Sequence, residues 1–194
     1  MSCVDSPLDA VTWPVRTERL LLRPATPADS APVWRYRRLE PVGRWLTRAP
    51  STRADFRSHF ESPEALAKAV VVEHDGTVIA DLMVAVGDSW AQEEVKERAR
   101  GRQAELGWVL DPAYEGHGYA TEAVRALLRL CFTDLGLHRV EAGCFAANEP
   151  SWRLMERVGM RRESVTRKDA LHRSGEWMDG MAYGILAEEW RAQA

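Results

Sequence analysis

Residues 115–124 read EGHGYATEAV, two glycines around a histidine that run directly into a helical pattern. A helix start leaves backbone N–H groups unpaired and carries a partial positive charge, which together make a ready anion site. Gly116 and Gly118 remove the side chains that would keep a phosphate oxygen from those groups. A strand ending at Leu110, this turn and then a long helix form the arrangement a pyrophosphate cradle needs. Taken alone the signal is weak, because glycine turns between strand and helix are common as plain connections. The other reactive side chains offer less. Cys131 sits at core spacing in the helical pattern and Cys144 in a strand, and neither has a base nearby, which disfavours covalent thiol catalysis. His138 and His172 have no metal-site spacing with any neighbour, so no metal is expected.

The elements that must position this turn are readable from periodicity. RLLLRPA (residues 19–25) reads as a strand, and Thr26, Pro27 and Asp29 then supply helix-start chemistry, with the helix itself beginning as late as Ser30 because of Pro32. STRADFRSHFES offers a short helix with Phe56 and Phe60 on one face. AKAVVVEH and TVIADLMVAV flank Asp75-Gly76, a strong hairpin signal. The charged AQEEVKERARGR reads as a solvated helix or hairpin tip. AELGWVL (104–110) is a strand, and from Ala120 to about Leu135 the apolar residues recur at helical spacing up to Gly136. HRVEAGCF is a strand, EPSWRLMERV a short helix, and the remainder reads as two or three strands with a turn at Ser174-Gly175. This order predicts a mixed α/β (α+β) single domain over residues 16–194, preceded by a loose segment over residues 1–15.

A chain of 194 residues suits one substantial core, and 45% hydrophobic with 28% charged residues is ordinary for a soluble domain. A net charge of −3 gives no support to a nucleic-acid or anionic-membrane partner. Cys3, Cys131 and Cys144 are an odd number that reads as reduced thiols rather than a disulfide frame. Neither a signal peptide nor a run of about 18 apolar residues is found, so the expected compartment is the cytoplasm and no membrane partner is expected.

The glycine turn does not stand alone. RTERLLLRPATPAD, AELGWVLDPAYEGHGYATEAVRALL, LHRVEAGCFAANEPSWRLMERVGM and the final GEWMDGMAYGILAEEW occur in this order. Together they closely resemble the GNAT superfamily of acyl-CoA-dependent N-acyltransferases, in its RimJ/RimL-like branch, over about residues 16–190. The resemblance implies the GNAT fold, a splayed, mostly antiparallel mixed sheet flanked by helices. Acetyl-CoA as co-substrate would sit where the strand ending at Leu110 parts from the strand starting at His138. Glu115, Gly116, His117, Gly118, Tyr119 and Ala120 occupy the family's pyrophosphate-loop motif. Backbone groups of Trp108, Val109 and Leu110 would bond the pantetheine arm in the manner of a missing strand. Asn148 matches the polar residue that touches the cofactor, and Ser151 the serine three residues later. Two positions depart from the pattern: Glu115 stands where the family often has Arg or Gln and is expected to face solvent, and Met155 stands where many members have a tyrosine acid.

Acyl transfer from a thioester to an amine needs a neutral amine, a polarised carbonyl and a stabilised leaving thiolate. Glu105 is the leading candidate base, on the strand face shared with Gly107 and Val109. It lies about 10 Å along the strand from Trp108, so a water-mediated path is expected. A half-exposed strand carboxylate or an ion-pair partner is an equal alternative. Ser151 would donate to the departing sulfur, or is simply the N-cap of its helix. Asn148 before Pro150 also reads as an ordinary turn residue. His117 is expected against the phosphates or solvent. Trp34 and Trp45 lie in the family's acceptor-side segments.

The resemblance thus implies an N-acetyltransferase moving an acetyl group from acetyl-CoA to a primary amine by direct attack, with a protein N-terminal amino group as the leading acceptor. A small amine (polyamine, antibiotic or amino acid) is the alternative, and a non-catalytic acyl-CoA sensor is the rival class. The partners are acetyl-CoA and the amine acceptor, with a homodimer left open. A nucleotide-binding fold fails, since no lysine follows the glycines.

Overall fold

In the computed structural model, which describes residues 6–193, eight strands form one sheet. Cys3 lies outside the described residues. The strands are β1 (Val15–Arg16), β2 (Leu21–Pro24), β3 (Ala69–His74), β4 (Thr77–Gly87), β5 (Gln103–Leu110), β6 (Arg139–Phe145), β7 (Arg161–Leu171) and β8 (Trp177–Leu186). Their spatial order is β1-β2-β3-β4-β5-β6-β8-β7. Every neighbouring pair is antiparallel except β5 with β6, which is parallel. This is the mixed, mostly antiparallel sheet that the family resemblance implies.

The two faces of the sheet carry separate cores. On one face lie α6 (Tyr119–Thr133) and α7 (Glu149–Arg157). Ala123, Val124, Leu127, Leu128 and Cys131 of α6 are buried there against Leu82, Val84, Leu106 and Val140. Burying a leucine such as Leu127 contributes about 2 kcal/mol of apolar transfer. The other face carries α1 (Ser30–Arg37), the short α2 (Glu40–Gly43), α3 (Arg53–Phe60) and the short α4 (Pro63–Leu66). Val33, Tyr36, Phe56 and Phe60 pack there against Val71, Val78 and Val109. Phe56 and Phe60, four residues apart on α3, hold their rings 5.4 Å apart. Thr26, Pro27 and Asp29 make a 3-10 turn that leads into α1, and buried Asp29 is held by Arg23 at 2.7 Å. The charged segment between β4 and β5 forms a 3-10 turn and the single-turn α5 (Lys96–Ala99), and α8 (Ala187–Arg191) follows β8.

One expectation needs correction. Residues 1–15 read as loose, yet in their described part Pro7–Ala10 form a 3-10 turn with Leu8 and Val11 buried, and Val15 pairs with Leu22. Apolar residues spaced three apart can dock a short segment that carries no regular periodicity. The C-terminal remainder forms two long strands, β7 and β8, joined at Ser174-Gly175.

One topological detail opens the molecule. β5 and β6 pair only through Gln103↔Arg139, Ala104↔Val140 and Glu105↔Glu141. β5 is paired along its whole length with β4, and β6 along its whole length with β8. Each half-sheet follows its own twist, so the strands splay apart beyond Glu105. Among the described residues, the β6-facing edge of β5 from Leu106 to Leu110 has no strand partner.

Candidate functional site

A cleft of about 1130 Å³ lies where β5 and β6 part, running from the glycine turn at one end to the α2–α3 segment at the other. Its floor is β5 from Glu105 to Leu110, so the backbone groups of Trp108, Val109 and Leu110 line it directly. An extended ligand arm laid there would satisfy N–H and C=O groups that the sheet leaves unpaired.

The turn at residues 115–118 is built by backbone conformation. Gly116 and Gly118 have φ of +79° and +81°, a region open to glycine and strained for branched side chains. A Cβ at Gly116 would meet nothing within 4 Å, so the space in front of this turn is free. Gly118 is the residue before α6, and no side chain caps the helix there. The first N–H groups of a 15-residue helix are therefore left for a ligand. Glu115 is exposed at the cleft rim. His117 is exposed too; its Nδ1–H donates to the Glu115 carbonyl at 2.8 Å, and its ring stacks on Tyr119 at 5.7 Å. Ala120 and Tyr119 begin the helix and line the cleft. The residues present thus fit a pyrophosphate group: a bare, positive-φ turn, open space and a free helix start.

Glu105 is the last residue of β5 that pairs with β6, exposed within the cleft and directly opposite Glu141. Gly107 opposite Met83 and Val109 opposite Asp81 share its face, which is the face covered by α1 and α3. Glu141 is neighboured by Arg139 at 3.4 Å, and Arg139 also pairs with Glu163. Glu105 has no ion-pair partner within 4 Å among the described residues, unlike the neighbouring acids.

A charged cluster that sequence reading overlooks lies beside it. Asp81 is buried on β4, accepts from the Tyr36 hydroxyl at 2.9 Å and from Arg37 Nε at 3.0 Å, and forms an ion pair with the Arg37 guanidinium. Burial and then the Asp81 charge hold the Tyr36 phenol well above its ordinary range, so it donates and cannot act as a base. An aspartate inside the apolar run TVIADLMVAV is the signal that could have flagged this cluster.

Ser151 lies on the far wall, and here a reading is corrected. It is the third residue of α7, and the N-cap position belongs to Asn148, because Pro150 is accommodated in the first turn where no N–H is required. Asn148 makes no side-chain cap bond among the described residues, and it lines the cleft. Burial pushes the Cys144 thiol up to about 11, while a hydrogen bond from Ser151 pulls the other way. Burial pushes Cys131 up to about 12. Met155 is fully buried in the α6-side core, so its position supplies no acid. Among the described residues no group of three or more His, Cys, Asp or Glu side chains could hold a metal ion, and no helix is long and apolar enough to cross a membrane.

The opposite end of the cleft is walled by residues 44–50. Trp45 lines it, whereas Trp34 packs into the α1–α3 core against Phe56 at 5.5 Å. The β7–β8 hairpin tip clasps this wall. His172 donates from Nε2 to the Arg44 carbonyl at 2.9 Å and meets the Ser174 hydroxyl through Nδ1 at 2.9 Å, and Arg173 donates to the Leu46 carbonyl. The His172 ring also meets those of Trp45 and Phe145 at 5.8 and 5.4 Å.

Comparison with known proteins agrees with this geometry. Residues 19–161 match the family model described as acetyltransferase (GNAT) domain. The chain is 45% identical over 86 residues to the uncharacterized N-acetyltransferase YnaD of Bacillus subtilis, covering 44% of this chain and 50% of that protein. It is 35% identical over 92 residues to the putative ribosomal N-acetyltransferase YdaF of the same organism, covering 47% and 50%. The chain thus spans about half the length of the curated relatives it matches. A GNAT-family acetyltransferase of known structure from Bacillus anthracis superposes with a TM-score of 0.75 at 31% identity, over 91% of this chain and 99% of that one.

Proposed function

For a chain that belongs to the GNAT acetyltransferase family, we propose the activity of an N-acetyltransferase that moves an acetyl group from acetyl-CoA to a primary amine by direct attack. The observation that carries this reading is the parting of β5 from β6 beyond Glu105, with a bare helix start at the end of the opening. Bound there, acetyl-CoA supplies an activated thioester. Gly116, His117, Gly118, Tyr119 and Ala120 face its pyrophosphate with backbone N–H groups, and the unpaired edge of β5 bonds its amide-bearing arm. Asn148 offers its amide to the same molecule.

The chain's own side chains then manage protons. An alkyl amine with a pKa near ~10 is mostly protonated at neutral pH, so it must lose a proton before it attacks. Glu105 accepts that proton, through a water molecule where the amine lies deeper in the cleft. Ser151 donates a hydrogen bond to the departing sulfur, and the N-terminus of α7 favours the developing negative charge. Cys144 carries no acyl group in this scheme, because burial holds its thiol protonated.

The acceptor we favour is a protein N-terminal amino group, on the likeness to a putative ribosomal N-acetyltransferase. The test is release of free thiol from acetyl-CoA across a panel of peptides, polyamines, amino acids and aminoglycosides. Release with peptides bearing a free amino terminus is the expected result. Release with small amines alone would reassign the acceptor, and silence across the panel with retained acetyl-CoA binding would mark a sensor.

A further inference from the structure

Arg19, in the lead-in to β2, reaches across 98 residues of sequence to the glycine turn. Its Nη1 donates to the His117 carbonyl at 2.9 Å, and its Nε donates to Glu122 at 2.8 Å. Its own backbone N–H donates to the other Glu122 oxygen at 2.9 Å, and Thr17 donates to that oxygen at 2.6 Å. The guanidinium lies 4.7 Å over the Tyr119 ring. His74 completes the junction: it donates from Nδ1 to the Arg19 carbonyl at 3.2 Å, and its Nε2 accepts from the Tyr119 hydroxyl at 2.9 Å.

Two physical consequences follow from these bonds. A turn offers its N–H groups to an anion only if its carbonyls point elsewhere, and Arg19, which does not line the cleft, captures the His117 carbonyl. Glu122 is the second. It lies in the first turn of α6, where its carboxylate stabilises the helix but opposes any anion bound at the same helix start. Burial favours its neutral form, yet the bonds from Thr17 and Arg19 outweigh this and hold it ionised below its ordinary range. The adjacent guanidinium cancels the charge that the anion would otherwise meet.

We propose, resting on the acetyl-CoA reading above, that Arg19 is a positioning residue for the donor's pyrophosphate. Paired with Glu122, it fixes the glycine turn in its ligand-ready form and screens a carboxylate from the anion site. The pair is absent from the chemistry itself, so its effect falls on donor affinity rather than on the transfer step.

Acetyl-CoA and acetyl-pantetheine, which lacks the pyrophosphate, separate this role from general stability. Arg19→Gln should raise KM for acetyl-CoA roughly tenfold while kcat moves by less than about twofold, and should leave KM for acetyl-pantetheine unchanged. Arg19→Gln combined with Glu122→Gln removes the uncompensated carboxylate and should recover most of the lost affinity. Arg19→Lys keeps the charge without reaching both partners and should fall between; if Arg19→Gln fails to fold, Arg19→Lys and the double variant carry the same comparison. An equal rise for both thioesters, no rise for either, or a double variant as weak as the single one would overturn the proposal. A wild-type protein that binds no acetyl-CoA at all would instead sink the donor reading on which it rests.

Discussion

The proposed donor end of the cleft is a backbone surface, whereas the proposed acceptor end is made of side chains. At the donor end Gly116, Gly118 and the unpaired edge of β5 present main-chain groups, fixed by the sheet and by the start of α6. At the acceptor end Glu105, Met83, Trp45 and the Asp81–Arg37 pair line the cleft from α1, β4, β5 and residues 44–50, the last held in place by the β7–β8 hairpin tip. A backbone site tolerates change in every side chain except the glycines that bare it. A side-chain site can be retuned one residue at a time. Donor binding should therefore be lost through very few substitutions, and the acceptor end should respond in smaller, separable steps.

The sharpest break expected is at the donor end. Gly118→Val puts a branched side chain at a φ of +81°, where its Cβ would meet Arg19 Nη2 at 3.6 Å, and so should distort the turn that leads into the free helix start. Wild type at a hundredfold excess of acetyl-CoA over its dissociation constant should gain about 2.7 kcal/mol of stability, read as a rise in Tm. The variant should fold and show no such rise; a full rise would remove the glycine turn from donor binding.

Glu105→Gln keeps the shape of the acceptor end but removes the base. Turnover should fall roughly 10²-fold with little change in KM for acetyl-CoA, and part of it should return at high pH where more amine is neutral. Wild-type turnover at neutral pH would take Glu105 out of the mechanism.

Ser151→Ala belongs between the two ends. Because Asn148 holds the N-cap position, the variant should stay within about 0.5 kcal/mol of wild-type stability. Loss of one hydrogen bond to the leaving sulfur should lower kcat roughly tenfold. A stable variant with undiminished kcat would leave the thiolate to the helix start alone.

The smallest effect belongs to the clasp. His172→Ala frees residues 44–50 and should raise KM for the acceptor about threefold, with KM for acetyl-CoA unchanged. A shift in the acetyl-CoA value instead would show that the two ends are mechanically coupled.

The same contrast explains what could be read before the structure. Strand and helix order followed from apolar periodicity, as in AELGWVL and the α6 repeat, because local patterning and tertiary burial coincide there. The glycine turn was legible because its signal is contiguous. The N-cap alternative for Ser151 fails because Pro150 reads equally as a turn residue and as a first-turn helix residue. The acceptor end was nearly silent: His172 meets its partner 128 residues away, and Arg37 meets Asp81 across 44. No local pattern announces a contact that only the folded sheet creates. The docking of Leu8 and Val11 was missed for the same reason.

The central claim is direct transfer from thioester to amine, and locating the acetyl group tests it most directly. Wild-type protein would be mixed with acetyl-CoA and a peptide carrying one free amino terminus and one lysine, and the masses of protein and peptide fragments compared. The account predicts acetylation of the peptide's α-amino nitrogen and an unmodified protein throughout. An acetyl group on Cys144 that passes to the peptide, or no acetyl group on any amine while acetyl-CoA stays bound, would contradict it.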